Sequence, residues 1–301
     1  MISSLSPASQ QFLDGLNQIQ QHEQTAQQQL TTGLRINSVA DAPDQISQLL
    51  QTKATLASTQ QNDANLGLVG TEVNTAEAAL ENAVTLTEKA ETLGTEGQPN
   101  INTAAQRSVL ANQLGTILQQ LVATANTQVG GRYIFSGDSD QQAPYSIDLT
   151  QSNPISAYAG SAATRTIQSP DGSRFAVSLT AQDIFDSNTA QNNVFQSINN
   201  LRIALQNNDQ TGIDSAIGSL QASDTYLNSQ LAFYGTAQDR ITSASSYGAN
   251  YETQLQTQLS GIQDADETQA IVNMNQAQTQ LQAALASEAK MPTSSLFNYL
   301  A

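Results

Sequence analysis

Few residues of this chain are of the types that carry chemistry, and their spacing decides what they can do. His22 is the single histidine and there is no cysteine, which closes off thiolate nucleophiles, disulfides and thiolate metal sites. His22 lies beside Glu23 in a glutamine-rich stretch without HExxH spacing, and reads as a solvated helix-surface histidine rather than a base or ligand. The densest carboxylate group, Asp264, Asp266 and Glu267, has the charge for a divalent cation but not the DxDxDG loop of an EF-hand. It reads as a solvated or partner-facing helix patch. Gly67-Leu68-Val69-Gly70 lacks the following Gly-Lys-Ser/Thr of a phosphate loop, so its glycines are expected to permit close helix contact. Ser136 is a hydroxyl with no base near it in sequence. No catalytic, cofactor-binding or metal-binding residue is assigned, and no enzymatic activity is expected. Arg35 is of another kind. It is the only basic residue before Lys53 and falls where one helix should end and the next begin. There a guanidinium either bridges carboxylates and helix-terminal carbonyls or lies on the surface.

The elements around these residues are helical. Phe12, Leu16, Ile19, Glu23, Ala26 and Leu30 recur in steps of four and three, the stripe of a coiled coil. Gly33 suits the end of that helix and Pro43 the first turn of the next, which the apolar spacing extends to about Leu93. A turn cluster at 94–100 leads to a third helix near 103–129, ended by Gly130-Gly131. Between Asp138 and Asn192 short runs alternate at period two, with Ser169 to Ser173 as a hairpin turn. Helical spacing resumes at Val194, pauses at 207–209 with Asp209 or Thr211 as a cap, and continues to about Ala289 through Tyr251, Leu255, Ile262, Met274, Leu281 and Leu285.

The expected fold is mainly α: a long antiparallel helical bundle or coiled coil formed by both termini, with a small β-rich domain inserted mid-chain. The boundaries read as 1–40 for the N-terminal coil helix, 41–137 for rod helices, 138–192 for the insertion, 193–274 for the returning helices and 275–301 for the C-terminal coil helix. Phe12, Leu16, Ile19 and Leu30 are expected to pack against Leu281, Leu285, Leu296, Phe297 and Leu300, within one chain or between copies.

Composition agrees with thin helices. Only 39% of residues are hydrophobic, 5% are aromatic and there is no tryptophan, which suits helices that each bury a narrow stripe. Nine glutamines fall in residues 1–30 and nine in 253–282, and the ends are nearly neutral, with Asp14, Glu23 and Arg35 in 1–40 and Glu288 and Lys290 in 275–301. Such weakly apolar helices are marginal alone and are expected to order on assembly. The formal charge of −16 argues against nucleic acid and anionic membranes, which call for basic surfaces. No apolar run approaches a membrane span, and the N-terminus lacks the pattern of a cleaved secretory signal.

Thr32-Gly33-Leu34-Arg35-Ile36-Asn37, followed by Asp41-Ala42-Pro43, resembles the N-terminal signature of the bacterial flagellin family. Gly131-Arg132-Tyr133-Ile134-Phe135-Ser136-Gly137 resembles the motif of its hook-associated protein 3 branch, and Gly235 to Ile241 and Ser295 to Leu300 fit the same order. The chain departs from the pattern at Leu34, Ala42 and Ala237. The resemblance implies a structural subunit of the flagellum, a ring that joins hook to filament, with both termini in an inner coiled coil. It also implies secretion to the hook-filament junction by type III export without a cleaved signal. The implied partners are further copies of itself, another hook-associated protein, flagellin, and a cytoplasmic export chaperone on the C-terminal helix around Ile271 to Leu300. Filament flagellin is the alternative within the family. A surface adhesin or binding module using 138–192 is the alternative of another class.

Overall fold

The computed structural model describes residues 7–289. Among them the elements are α1 (Pro7–Thr32), α2 (Ile46–Gly97), α3 (Ala104–Ala125), β1 (Gln128–Val129), β2 (Arg132–Tyr133), β3 (Thr166–Gln168), β4 (Arg174–Ala176), α4 (Ala181–Phe185), α5 (Val194–Gln206), α6 (Gln210–Gln263) and α7 (Glu267–Glu288). The fold is mainly α, with the helices of the two termini packed together and small two-stranded sheets in mid-chain. The chain packs as two units: residues up to 58 with those from 252 onward, and residues 59–251.

In the unit 59–251, α2 and α6 run antiparallel. Ser245 Oγ donates to Asp63 Oδ1 at 2.6 Å, Gln221 Nε2 to Glu91 Oε1 at 2.7 Å, and Gln98 Nε2 to Asp214 Oδ1 at 2.9 Å. The positions ascend on one helix as they descend on the other. Gly70 meets Ile241 at 3.7 Å from its would-be Cβ, whereas Gly67 faces open space. Only one of that glycine pair therefore serves close helix contact. Asp209 caps α6, its Oδ1 accepting from Gly212 N, and Thr103 with Gln106 forms a full capping box on α3. At this end of the bundle the buried Arg107 donates to Gly97 O, Pro99 O, Asn208 Oδ1 and Gln210 Oε1. One guanidinium thus holds the α2–α3 and α5–α6 turns together.

The core of this unit joins Leu114, Leu118 and Leu121 of α3 to Leu201 of α5, Leu220 and Leu227 of α6 and Leu80 of α2, all fully buried. Tyr145, Phe175 and Phe185 from the mid-chain segment belong to the same core. The segment 138–192, expected as an inserted β-rich domain, carries small two-stranded pairing and shares the core of the helices, into which its aromatic side chains pack. Its sheet is one antiparallel hairpin, β3 with β4, turned by residues 169–173; the run at Ile155 contributes an isolated bridge to Ile147. A second hairpin, β1 with β2, precedes it across Gly130-Gly131.

The unit formed by the two ends contains α1, α7 and the adjoining parts of α2 and α6. Its division from the rest falls at 58/59 and 251/252 rather than at 40/41 and 274/275. Residues 274 and 275 lie inside α7, and nothing there stops a helix. The stop comes earlier, at Asp264-Ala265-Asp266, which the apolar spacing alone passes over.

Candidate assembly surface and its joint

Both helical ends break within one small structure. Thr32 ends α1, and Gly33 takes φ +70° with its N–H bonded to Gln29 O at 2.8 Å, the left-handed helix stop that glycine adopts without a Cβ penalty. On the other side of the joint α6 stops at Gln263 and α7 starts at Glu267, with Asp266 as N-cap accepting from Gln269 N at 3.0 Å. The two breaks are stitched together by backbone hydrogen bonds: Ala265 N to Gly33 O at 2.9 Å and Arg35 N to Gln263 O at 2.6 Å.

Arg35 reaches helix-terminal carbonyls, one of its two readings, and not carboxylates. Its Nη2 donates to Ile262 O at 2.6 Å and to Gln45 Oε1 at 2.7 Å, so a fixed positive charge sits at the negative end of the α6 dipole. Asn37 Nδ2 donates to Leu34 O, and the backbone N–H groups of Asn37 and Ser38 both donate to Asp41 Oδ2. Those bonds from Ser38 and Asn37 hold the Asp41 carboxyl below its ordinary range, because they favour the ionised form. Ile36, Ala42 and Leu49 form a satellite core with Ile46, Leu259 and Ile262. Ala42 is buried there, a position with no room for a solvated carboxylate. Pro43 is exposed just ahead of α2, whose first residue is Ile46. The acidic group 264–267 is thus a helix break and a cap, with Glu267 in the first turn of α7. The Ser260 hydroxyl donates to Asp264 Oδ2.

From the joint α1 and α7 run side by side in opposite directions. Gln278 Nε2 lies 3.5 Å from Glu23 Oε1, some distance along from the Gly33–Ala265 bond. The stripe on α1 is the expected one: Phe12, Leu16, Ile19, Glu23 and Leu30 are half-buried, and Ala26 is 2% exposed. On α7 the inward stripe is Ala270, Met274, Ala277, Leu281 and Ala284, with Ala270 and Ala277 buried. Leu281 is half-buried on this stripe. Leu285 is 53% exposed in the single chain, because the stripe continues through Ala284, and the next residue is turned about 100° around the helix. Leu296, Phe297 and Leu300 lie outside the described residues. His22 is exposed beside Thr25, Gln29 and Gln276 along the polar groove of this pair.

The second motif lies in the unit 59–251 and organises its core. Arg132 Nη2 and Arg165 Nη1 each meet a different oxygen of Glu72 at 2.7 Å, and Arg132 also faces Asp140 at 3.5 Å. Tyr133 N donates to Asp140 O. Phe135 is fully buried, edge-on to Phe185 and Tyr234. Ser136 is fully buried and donates to Ser139 O and Gln142 O, which makes its hydroxyl a loop tie. Gly137 has φ +61°, and a Cβ there would lie 2.3 Å from Ser161 O. Among the described residues no group of three or more His, Cys, Asp or Glu is placed to hold a metal ion. No helix among them is long and apolar enough to cross a membrane.

Two family models cover most of this chain: the bacterial flagellin N-terminal helical region matches residues 2–140 and the bacterial flagellin C-terminal helical region matches residues 211–300. The chain belongs to the bacterial flagellin family. The N-terminal match includes both motifs, 32–43 and 131–137, and the stretch between the two matches holds the β3–β4 hairpin and α5. The flagellar hook-associated protein 3 of Escherichia coli (strain K12) is 24% identical over 310 aligned positions that cover 96% of each chain. The crystal structure of the flagellar hook associated protein-3 of Legionella pneumophila superposes with a TM-score of 0.62 at 14% identity, over 72% of this chain and 99% of that one. That of Bacillus cereus FlgL gives 0.56 at 18%, over 71% and 100%. At those identities the structures speak for the fold. This flagellin-family fold places the signature residues Gly33, Arg35, Asn37 and Asp41 in a joint between helices, and Arg132, Phe135 and Gly137 in a core-forming turn.

Proposed function

We propose that the chain is a structural subunit of the bacterial flagellum, a hook-associated protein 3 that joins hook to filament as a ring, and that it performs no catalysis. The observation that carries this reading is the pairing of α1 with α7 above a shared joint, in a chain that aligns end to end with the E. coli hook-associated protein 3. A helix pair whose long apolar residues are only half-buried is an incomplete core. Neighbouring copies that cover the remaining faces would complete it, which is how a ring of identical subunits gains stability from assembly.

The same reading supplies the partners. Another hook-associated protein and flagellin are its neighbours on the two sides of the ring. A cytoplasmic chaperone covers the C-terminal helix before type III export, which requires no cleaved signal. The exposed Ile271, Val272 and Leu285 on α7 are apolar residues that such a chaperone would shield. The near-neutral, cysteine-free ends fit a chain that crosses a narrow channel unfolded.

Deletion of the gene, followed by electron microscopy of the cells, tests the assignment. Hooks without filaments, together with flagellin monomer in the medium, are expected. Filaments that remain attached would contradict it. Seeded growth of the purified chain into long filaments would assign it to filament flagellin instead.

A further inference from the structure

Arg174 on β4 and Arg240 on α6 line one groove together with the buried Phe175 and the exposed Tyr247. The Tyr247 ring stacks on Tyr251 with centroids 6.0 Å apart. Its carboxylates are Asp171, whose Oδ1 already accepts from Ser173 N and Oγ, and Asp239. Cations are scarce in this chain, 10 against 26 acidic residues, and most of the arginines have internal work. Arg35 caps α6, Arg107 holds two turns, Arg132 and Arg165 hold Glu72, and Arg202 donates to Asn199. Among the described residues Arg174 and Arg240 enter no ion pair.

The groove sets its two arginines beside Asp171 and Asp239, whereas another face of the same unit carries carboxylates in a row. Glu77, Glu81, Glu88 and Glu91 recur on α2 in steps of four, seven and three, a single stripe about 21 Å long, and Glu81 and Glu88 are exposed. Lys89 is turned about 100° from Glu88. The stripe runs beside α6: Gln221 bonds Glu91, and a Cβ on Gly235 would lie 3.8 Å from Glu77 Oε1. Arg240 lies about 140° around α6 from Gly235 and about 100° from Gln221. The arginine groove is therefore turned away from the stripe of its own chain.

We propose that the groove receives the acidic α2 stripe of a neighbouring copy, Arg174 and Arg240 facing Glu81 and Glu88 in a head-to-tail contact. The inference rests on the junction reading, since a closed ring repeats one heterologous interface. Copies that each carry a formal charge of −16 repel one another, and a local meeting of opposite charges gives them a preferred register. Exposed arginine and tyrosine side by side are the side chains most enriched at such contacts.

The test returns full-length variants to a strain lacking the chain and measures two quantities: protein exported to the medium and protein retained on isolated hooks. R174E/R240E is expected to leave export unchanged and lower retention about tenfold or more, and E81R/E88R to do the same. Combining all four changes restores the charge pairing and should bring retention back to within about threefold of wild type. That recovery separates a lost contact from a lost fold. Retention unchanged in either double variant, or no recovery in the combination, overturns the contact while leaving the junction reading intact. Wild-type protein missing from hooks overturns both.

Discussion

The two packing units use the same helical period and finish their cores differently. In residues 59–251 the stripes of α2, α3, α5 and α6 meet from several sides, so leucines such as Leu114, Leu118 and Leu220 are fully buried, and Phe135, Phe185 and Tyr234 lock edge to face among them. In the unit of the two ends, α1 and α7 pack against each other. Among the described residues their buried side chains are the alanines Ala26, Ala270 and Ala277, while Ile19, Leu30 and Leu281 stay half-exposed. A heptad stripe specifies which face a helix buries, and the number of partners decides how much of that face leaves water. One unit is a finished core; the other leaves a half-exposed stripe, which neighbouring copies would cover in the proposed ring.

Truncation of side chains should separate the two most widely. Leu118→Ala removes a fully buried side chain from the finished core and is expected to cost about 2–5 kcal/mol, read as a lower denaturant midpoint of the free protein. Ile19→Ala or Leu281→Ala should leave that midpoint within about 0.5 kcal/mol yet weaken assembly. Equal losses from all three would erase the distinction between the units. Gly137→Ala is the next largest effect. It forces a side chain into a left-handed conformation and onto the Ser161 carbonyl, and should cost about 1–3 kcal/mol in the same melt, with α1 and α7 unaffected.

Legibility in the sequence follows the same division. The α1 stripe, the Gly33 stop, the 169–173 hairpin turn and the Asp209 cap were readable because each depends on neighbours within a few residues. The break at 264–266 was not, since no proline or left-handed glycine marks it; what holds it open is backbone pairing with Leu34 and Arg35, more than two hundred residues away. The capping box Thr103-x-x-Gln106 is a further local signal, marking the start of α3. A stripe drawn through large residues runs to Leu285, which is 53% exposed in the single chain, and skips the buried alanines Ala270 and Ala277. The alternating runs of 138–192 showed the β3–β4 hairpin, but not that Phe175 and Phe185 bury their rings in the core shared with the helices.

The joint sharpens the comparison at a smaller scale. Arg35→Ala removes two charge-assisted hydrogen bonds at the end of α6 and is expected to cost about 1 kcal/mol locally. Faster amide exchange at Ile36, Gln263 and Ala265, with no change at Leu118, is the expected signature. Exchange unchanged at the joint would mean that the satellite core around Ile36 and Leu49 holds it without the guanidinium.

Acid should move the two units in opposite directions, the smallest of these effects. Asp41 in the joint has its carboxyl lowered by the Ser38 and Asn37 amides. Its stabilisation is present above the unfolded value near 3.8 and is lost as pH falls through the still lower folded value. Asp224 on α6 is the reverse. Burial pushes its carboxyl up, the nearby Glu88 and Glu91 add to the shift, and its Oδ1 is buried without a partner while Oδ2 accepts from Asn228. A raised carboxyl favours folding below its unfolded value and withdraws that support as pH rises through the folded value. At pH 7 the ionised Asp224 therefore opposes the core that Asp41 leaves untouched. Asp224→Asn is expected to raise the midpoint of the 59–251 core at pH 7, and the gain should shrink as the pH approaches 4. Asp41→Asn should instead speed exchange at Asn37 and Ser38 at pH 7 and converge with wild type only in stronger acid. A gain from Asp224→Asn that held constant across this range would show that a pH-independent contact of the asparagine amide, and not the titration of that carboxyl, sets the response of the core.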